Sequence, residues 1–270
     1  MTRVMVTGGK GFVGSELVKY LKTDSNEVYT YDLKDNQDIL DSCKLREFVK
    51  TFDPEEVYHL AAQINPRSSE IDRKRDWDIN VQGTLNVIDA MMHHGVKKLV
   101  FSSSDAVIYP KSNYGVSKLA AEEYVKKYSS SGDIYGRVVR FSSIYGIGRS
   151  GGAINAFINK AIAGEKLSIY NGNSRRDYVH VSDCARALEL VMNKGMELRY
   201  SYNIGNGILY TTDEIAEYIS MLSGAEIEFT PDDTVVTFGS EFNTNLLRSL
   251  GYRPHYNILH GIKNTYLRSL

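Results

Sequence analysis

Cysteine is nearly absent from this 270-residue chain, which holds two, Cys43 and Cys184, neither with a CxxC partner. A disulfide framework is thereby excluded, and two buried or incidental thiols are expected. Net charge is missing as well: Lys and Arg number 32 against 33 Asp and Glu, for a formal charge of −1. No global field draws such a chain to nucleic acid or to an anionic membrane surface, so an anionic ligand must be held by local groups. No stretch reaches the roughly 18 consecutive apolar residues of a membrane span, and the opening Met1–Val6 is strand-like without an apolar h-region. A cytoplasmic address with no membrane partner is the expectation. The six histidines lack metal-ligand spacing, His93 and His94 being adjacent and His59 and His180 lying in strand-like runs, so no metal is expected. Internal repeats and low-complexity segments are also lacking.

What is present is an ordinary globular composition, 42% hydrophobic and 24% charged. Its length suffices for one large α/β domain with a small appendage, or for two modest domains. Short β-rich runs (Arg3–Thr7, Glu27–Tyr31, Val57–Leu60, Leu99–Ser102, Arg137–Phe141) alternate with helical patterns at Phe12–Lys22, Lys44–Phe52 and Asp76–His93. That alternation predicts a doubly wound parallel sheet. In the last of these helices Trp77, Val81, Leu85, Ile88 and Met92 form an apolar stripe, facing either the sheet or a partner subunit. After Tyr145 the pattern changes. Gly146, Gly148, Gly151 and Gly152 cluster, then a helix at about Ala153–Ala163 and a strand at Leu167–Tyr170 lead into shorter mixed elements. A division at 145/146 is expected, with segments of about 179–205 returning to the first domain.

Residues 3–14 read Arg-Val-Met-Val-Thr-Gly-Gly-Lys-Gly-Phe-Val-Gly. A buried strand feeds a glycine turn that opens a helix, where backbone amides and the helix N-terminus can hold a pyrophosphate. Glycine is common and tight turns need it, so the turn alone is weak. The second strand, however, ends on Asp32, where a carboxylate accepts hydrogen bonds from adenosine ribose hydroxyls and repels the 2′-phosphate of NADP. NAD is therefore the expected cofactor, with Lys34 as the nearby cation arguing otherwise.

Tyr114 and Lys118 stand at i and i+4, neighbours on one helix face. A chain with 19 tyrosines holds such a pair by chance. Its position gives it meaning, because Ser103 and Ser104 ten residues earlier end a strand at the sheet edge where open α/β folds bind ligands. There Tyr114 can exchange a proton, Lys118 can favour the phenolate of a group whose unperturbed pKa is about 10, and Ser104 can donate to an oxygen gaining charge.

Taken in order, these motifs are similar to those of the extended short-chain dehydrogenases/reductases, above all their nucleotide-sugar epimerase and dehydratase branch. The resemblance implies an α/β fold, a Rossmann-type doubly wound parallel sheet with a smaller mixed α/β C-terminal substrate-binding region. It places Gly8, Gly11, Phe12, Val13 and Gly14 at the cofactor, Asp38 and Ile39 at the adenine, and Leu60, Ala61 and Ala62 of His59-Leu60-Ala61-Ala62 along it. Asn80, in Asn80-x-x-Gly83-Thr84, and Ser102 join the NAD site. Ser104, Tyr114 and Lys118 become the catalytic serine, tyrosine and lysine, and Arg140-Phe141-x-x-Ile144-Tyr145-Gly146 closes the nicotinamide pocket. Arg176, in Arg176-Asp177-Tyr178-Val179-His180-Val181-x-Asp183, is implied as the substrate-diphosphate ligand, with Arg149 and Arg175 as helpers and a salt bridge to Asp177 or Asp183 as its structural alternative. The implied partners are a nucleotide-diphosphate sugar and a second copy of the chain, as a homodimer.

Departures narrow the reaction. Ser143 replaces an asparagine that usually reaches the substrate, the Ser104–Tyr114 loop is short, and no arginine falls between Pro231 and Arg248 to serve as a second phosphate ligand. Dehydratases of this type carry Asp-Glu after the catalytic hydroxyl residue, whereas Ser104 is followed by Asp105-Ala106, so two-group elimination lacks one acid. Epimerisation is expected, most simply at C4 of a UDP- or other NDP-hexose. The alternatives are a 4,6-dehydratase, a keto-reductase, or a non-catalytic NAD-sensing or scaffold protein on the same fold.

Overall fold

The structure, a computed structural model, describes residues 1–24, 26–170, 172–195, 200–229 and 242–270. The chain packs as two units, Met1–Phe141 with Ala185–Tyr202, and Ser142–Cys184 with Asn203–Leu270. The first runs β1 (Arg3–Thr7), α1 (Phe12–Thr23), β2 (Glu27–Tyr31), α2 (Ser42–Phe52), β3 (Glu56–His59), α3 (Pro66–Ile71), α4 (Arg73–Trp77), α5 (Gly83–His93), β4 (Lys98–Ser104), α6 (Asn113–Ser130) and β5 (Tyr135–Phe141). Then come β6 (Ser143–Tyr145), α7 (Ala153–Ile162), β7 (Leu167–Ile169), β8 (Arg175–His180), α8 (Val181–Lys194) and β9 (Ser201–Ile204). The chain ends with β10 (Leu209–Thr211), α9 (Thr212–Ser223), β11 (Ile227–Phe229), α10 (Asn245–Ser249) and α11 (Ile258–Leu267).

The large sheet has the order β2-β1-β3-β4-β5-β9, and its first five strands pair in parallel. Parallel strands covered by helices on both faces must be apolar on both, and Val4, Met5 and Val6 of β1 are all buried. Because β2 lies on one side of β1 and β3 on the other, the chain changes direction between β1 and β3. Ligands of open α/β sheets bind at such a switch point, outside the carboxyl ends of the strands. Met5, Leu45, Val57, Ile88, Met91, Phe101, Val125 and Val138 are among the residues of this unit's core. The second unit has its own core, from Tyr145, Phe157, Ile158, Leu167, Ile215, Ile219 and Ile262. Its sheets are β10-β8-β6 and β11-β7.

The expected helix Asp76–His93 is not continuous. Between α4 and α5 the chain makes a π turn over Asp78–Gln82. Within it Asn80 is drawn inward, its carboxamide oxygen accepting from Gln63 N at 2.9 Å and its nitrogen donating to Ser117 Oγ at 3.0 Å. The inserted residue shifts the apolar stripe. Val81 and Ile88 enter the core, while Trp77 and Met92 lie 46% and 37% exposed. A π turn of this kind frequently marks a functional site.

Candidate active site

Glycine is demanded by the turn after β1. Gly8 has φ +68°, and a Cβ there would lie 2.7 Å from Ala61 N. At Gly14 a Cβ would meet Gly8 O at 2.1 Å, so α1 can approach the strand end only without a side chain. Gly11 is the N-cap of α1 and no side chain caps it. The first amides of a twelve-residue helix are thus left toward the ligand side, as an anion-binding cradle requires. Asp32 sits at the end of β2 and is buried. Its carboxylate accepts from Lys10 N at 2.8 Å and Lys34 N at 2.9 Å, one bond per oxygen, which leaves lone pairs for further donors. Lys34 Nζ donates to Lys10 O at 2.9 Å. The sequence reading overlooked a second cation here: Lys10, whose ammonium pairs with Asp35. Together the uncapped glycine turn and the acid at the strand end suit an adenine dinucleotide. Ile39 is buried, and its carbonyl accepts from Asn86 Nδ2 at 2.8 Å, a support that no motif announced. Leu60 N donates to Thr7 O at 3.1 Å, which brings Leu60-Ala61-Ala62 out of β3 beside the turn.

Beneath the turn runs a directed hydrogen-bond chain. Thr84 Oγ1 donates to Asn80 O at 2.7 Å, so at 3.1 Å it receives the proton of His59 Nε2. His59 Nδ1 is then an acceptor, and Thr7 Oγ1 donates to it at 2.6 Å while accepting from Ala61 N at 3.2 Å. Such a chain needs a neutral imidazole. Burial, helped by the charge of Lys118, pushes the His59 pKa down to about 3.

Ser112 caps α6 by accepting from Gly115 N at 3.1 Å, and Ser69 accepts from Tyr114 N at 3.1 Å. These caps fix the first turn, which carries Tyr114, with Lys118 one turn on, both buried. Lys118 Nζ stands 4.2 Å from the ring centre of Phe101, a cation–π contact in a dry place. Burial lowers its pKa to about 7, against the opposing pull of Glu122 and Asp76. A lysine in this state can trade its charge with a neighbouring phenol near neutrality. Ser104 ends β4, with Ser102 behind it. Its hydroxyl donates to Asp105 Oδ1 at 3.0 Å and accepts from Ala106 N at 3.2 Å. To serve a substrate oxygen, that proton must turn away from Asp105. Asp38 lies at the surface turn before α2, where its carboxylate accepts from Leu40 N at 2.9 Å.

In the second unit Ser143, Arg149 and Arg176 line one cavity of about 140 Å³ with Asn155, Tyr178 and Thr212. That is room for a phosphate-sized group rather than for a whole sugar nucleotide. Arg149 Nε donates to Gly151 O at 2.8 Å. Asn155 holds the turn before it, donating to Gly146 O at 2.8 Å and accepting from Gly146 N at 3.3 Å. Arg176 is half-buried on β8, opposite Tyr210 of β10, whereas Arg175 is exposed. Asp177 accepts from Asn206 N at 2.8 Å and Gly207 N at 2.6 Å, and Asp183 from His255 N at 2.8 Å and Tyr256 N at 3.1 Å. Both acids therefore brace loops. The stretch searched for a second phosphate-binding arginine lies, over residues 230–241, outside the described residues.

Sequence reasoning missed Ser69, Asn86, Ser117, Asn155 and Asp76. The available signal was a polar residue on an apolar face, as at Asp76, four before Asn80. Among the described residues no cluster of His, Cys, Asp or Glu could hold a metal, and no helix is long and apolar enough to cross a membrane.

The family model for the NAD dependent epimerase/dehydratase family matches residues 4–205. A putative UDP-glucose 4-epimerase of Methanocaldococcus jannaschii is 32% identical, over 96% of each chain. Among solved structures, the Thermotoga maritima UDP-glucose 4-epimerase with UDP-glucose superposes with a TM-score of 0.90 at 27% identity, covering 99% of both chains. The Thermus thermophilus UDP-glucose 4-epimerase complex with NAD does so with a TM-score of 0.89 at 28% identity, over 98% of this chain and 99% of that one.

Proposed function

The chain belongs to the NAD dependent epimerase/dehydratase family, and from that premise we propose that it inverts C4 of a UDP- or other NDP-hexose. NAD is its cofactor and, when bound, would supply reversible hydride acceptance at the sugar carbon. The glycine turn holds the pyrophosphate, and Asp32 receives the ribose hydroxyls.

Tyr114, as phenolate, takes the proton from the C4 hydroxyl, and later returns a proton to the oxygen on the other face. Lys118 lowers the cost of that phenolate. Ser104 donates to the same oxygen while it carries charge. Arg176 and Arg149 bind the diphosphate, through guanidinium donors that match phosphate oxygens. Two copies of the chain associate through the helix surface that carries Trp77, Met92, Val116 and Tyr124.

The observation that carries this reading is the pair Tyr114 and Lys118 on successive turns of one capped helix, with the lysine buried and its pKa brought to about 7. Elimination is disfavoured because Ala106 stands where a dehydratase has its second acid. NMR of UDP-glucose incubated with the protein and NAD tests the proposal. Accumulation of UDP-galactose is expected. A 4-keto-6-deoxy product would make it a dehydratase, and silence with every NDP-hexose would leave it without this activity.

A further inference from the structure

Asp76 is 1% exposed, yet it carries a carboxylate and belongs to none of the motifs above. It is the last residue but one of α4, immediately before the π turn. Asn80 Nδ2 has two hydrogens and three acceptors in reach: Gln63 O at 3.1 Å, Ser117 Oγ at 3.0 Å and Asp76 Oδ1 at 3.2 Å. Ser117 in turn donates to Tyr114 O at 3.1 Å, and its hydroxyl helps to lower the pKa of the Asp76 carboxyl. Asp76 is therefore wired, through two side chains, to the turn that bears Tyr114.

Its charge also has somewhere to act. Buried carboxylates need a matching cation or they take up a proton. Among the described residues Asp76 makes no direct salt bridge, and the cation that acts on it is Lys118. The groups acting on Lys118 are Glu122 from α6, Asp76 from α4, His59 from β3 and the Phe101 ring from β4, and Tyr114 stands four residues before it on the same helix. His59 is neutral. Glu122 is gripped by Arg140, which donates at 2.6 to 3.2 Å through Nε and Nη2, so its charge is already matched. Glu122 pulls on Lys118 more strongly than Asp76 does, but among the described residues Asp76 is the one of the two with no ion pair of its own.

We propose that Asp76 is a positioning residue for the catalytic pair: through Ser117 and Asn80 it fixes the first turn of α6, and its carboxylate keeps the buried Lys118 ammonium charged. Burial raises the pKa of Asp76 itself, while Ser117 and Lys118 pull it back down, as this role requires. The inference rests on Tyr114 and Lys118 being the catalytic pair, but its test does not require the right sugar.

The ultraviolet difference spectrum between the NAD-bound protein and its Tyr114→Phe variant reports ionisation of Tyr114 alone. Asp76→Asn keeps the shape and removes the charge. Lys118 then loses its proton at lower pH, the phenolate loses its cation, and the Tyr114 midpoint should rise by about half a unit or more. Asp76→Glu, which restores the charge, should bring the midpoint back toward wild type. If Asp76→Asn does not fold, Asp76→Ser makes the same measurement, since it also removes the charge and can accept from Asn80. A midpoint that stays, or moves down, overturns the proposal. With a turned-over sugar nucleotide in hand, kcat should fall most below the shifted Tyr114 midpoint and recover toward alkaline pH, with KM little changed. A fall equal at every pH would mark Asp76 as merely structural. No turnover on any sugar, together with a midpoint that rises, would sink the epimerase reading and leave this inference standing.

Discussion

Lys118 has almost no water around it, and that decides what Tyr114 can do. A phenol in water is protonated at neutral pH, whereas one beside a buried ammonium can ionise without a large local rearrangement. In the proposed reaction Tyr114 alone exchanges the proton at the sugar oxygen, and the glycine turn holds the cofactor. Tyr114→Phe should lower turnover on the order of 10²–10⁴-fold and leave NAD affinity within error of wild type. Steady-state rates and calorimetric NAD titration check the two halves; a variant retaining more than half of the activity would remove Tyr114 from the mechanism. At this scale the sequence was informative about where the candidate site residues stand. Asp32, Tyr114 and Lys118 were legible because strand ends and an i, i+4 pair place them. Asp76, Ser69 and Asn86 were not, because their partners (Ser117, Tyr114 N and Ile39 O) are distant along the chain and only the fold joins them.

Among the elements, β3 holds the most pH-sensitive link. His59 is neutral in the folded chain, with a pKa near 3 against 6.5 for an exposed histidine. A group whose folded pKa is depressed in this sense binds its proton first in the unfolded chain. Stability is therefore full above pH 6.5 and is lost as pH falls toward 3, by on the order of 3–5 kcal/mol for this one group. His180 in β8, brought down to about 4 by burial, acts in the same window. Thermal melts from pH 7 to pH 4 should show His59→Gln losing less Tm than wild type, because its amide can bridge Thr7 and Thr84 without titrating. Parallel curves would place the acid sensitivity elsewhere. For β8, Arg176→Ala should raise the dissociation constant for UDP-glucose by about 30-fold or more, as expected for truncating one partner of a charge-assisted contact. NAD affinity should barely change. Normal binding of the sugar nucleotide would move the diphosphate away from this cavity. The five parallel strands β1 to β5 were legible to within two residues because their runs are rich in β-branched and aromatic residues. The break in the helix Asp76–His93 was not, since a π turn keeps the helical period almost unchanged while inserting one residue.

For the whole molecule, the sequence period that suggested a single apolar stripe conceals two destinations. Val81 and Ile88 go to the core, and Trp77 and Met92 remain at the surface with Val116 and Tyr124. Exposed apolar side chains on α4, α5 and α6 are what the proposed association with a second copy would cover. Light scattering at micromolar concentration should return about twice the 30.4 kDa chain mass, and a value near the chain mass would rule the dimer out. From the sequence a division at 145/146 and a return of about residues 179–205 were expected; in the structure the first unit is Met1–Phe141 with Ala185–Tyr202. The claim on which the rest depends is that the hydride taken from C4 comes back to C4. UDP-glucose carrying deuterium at C4 tests it directly. Proton NMR of the isolated product should show UDP-galactose with the deuterium retained at C4 and none lost to solvent. Deuterium found at C6, or exchanged for solvent hydrogen, would contradict it.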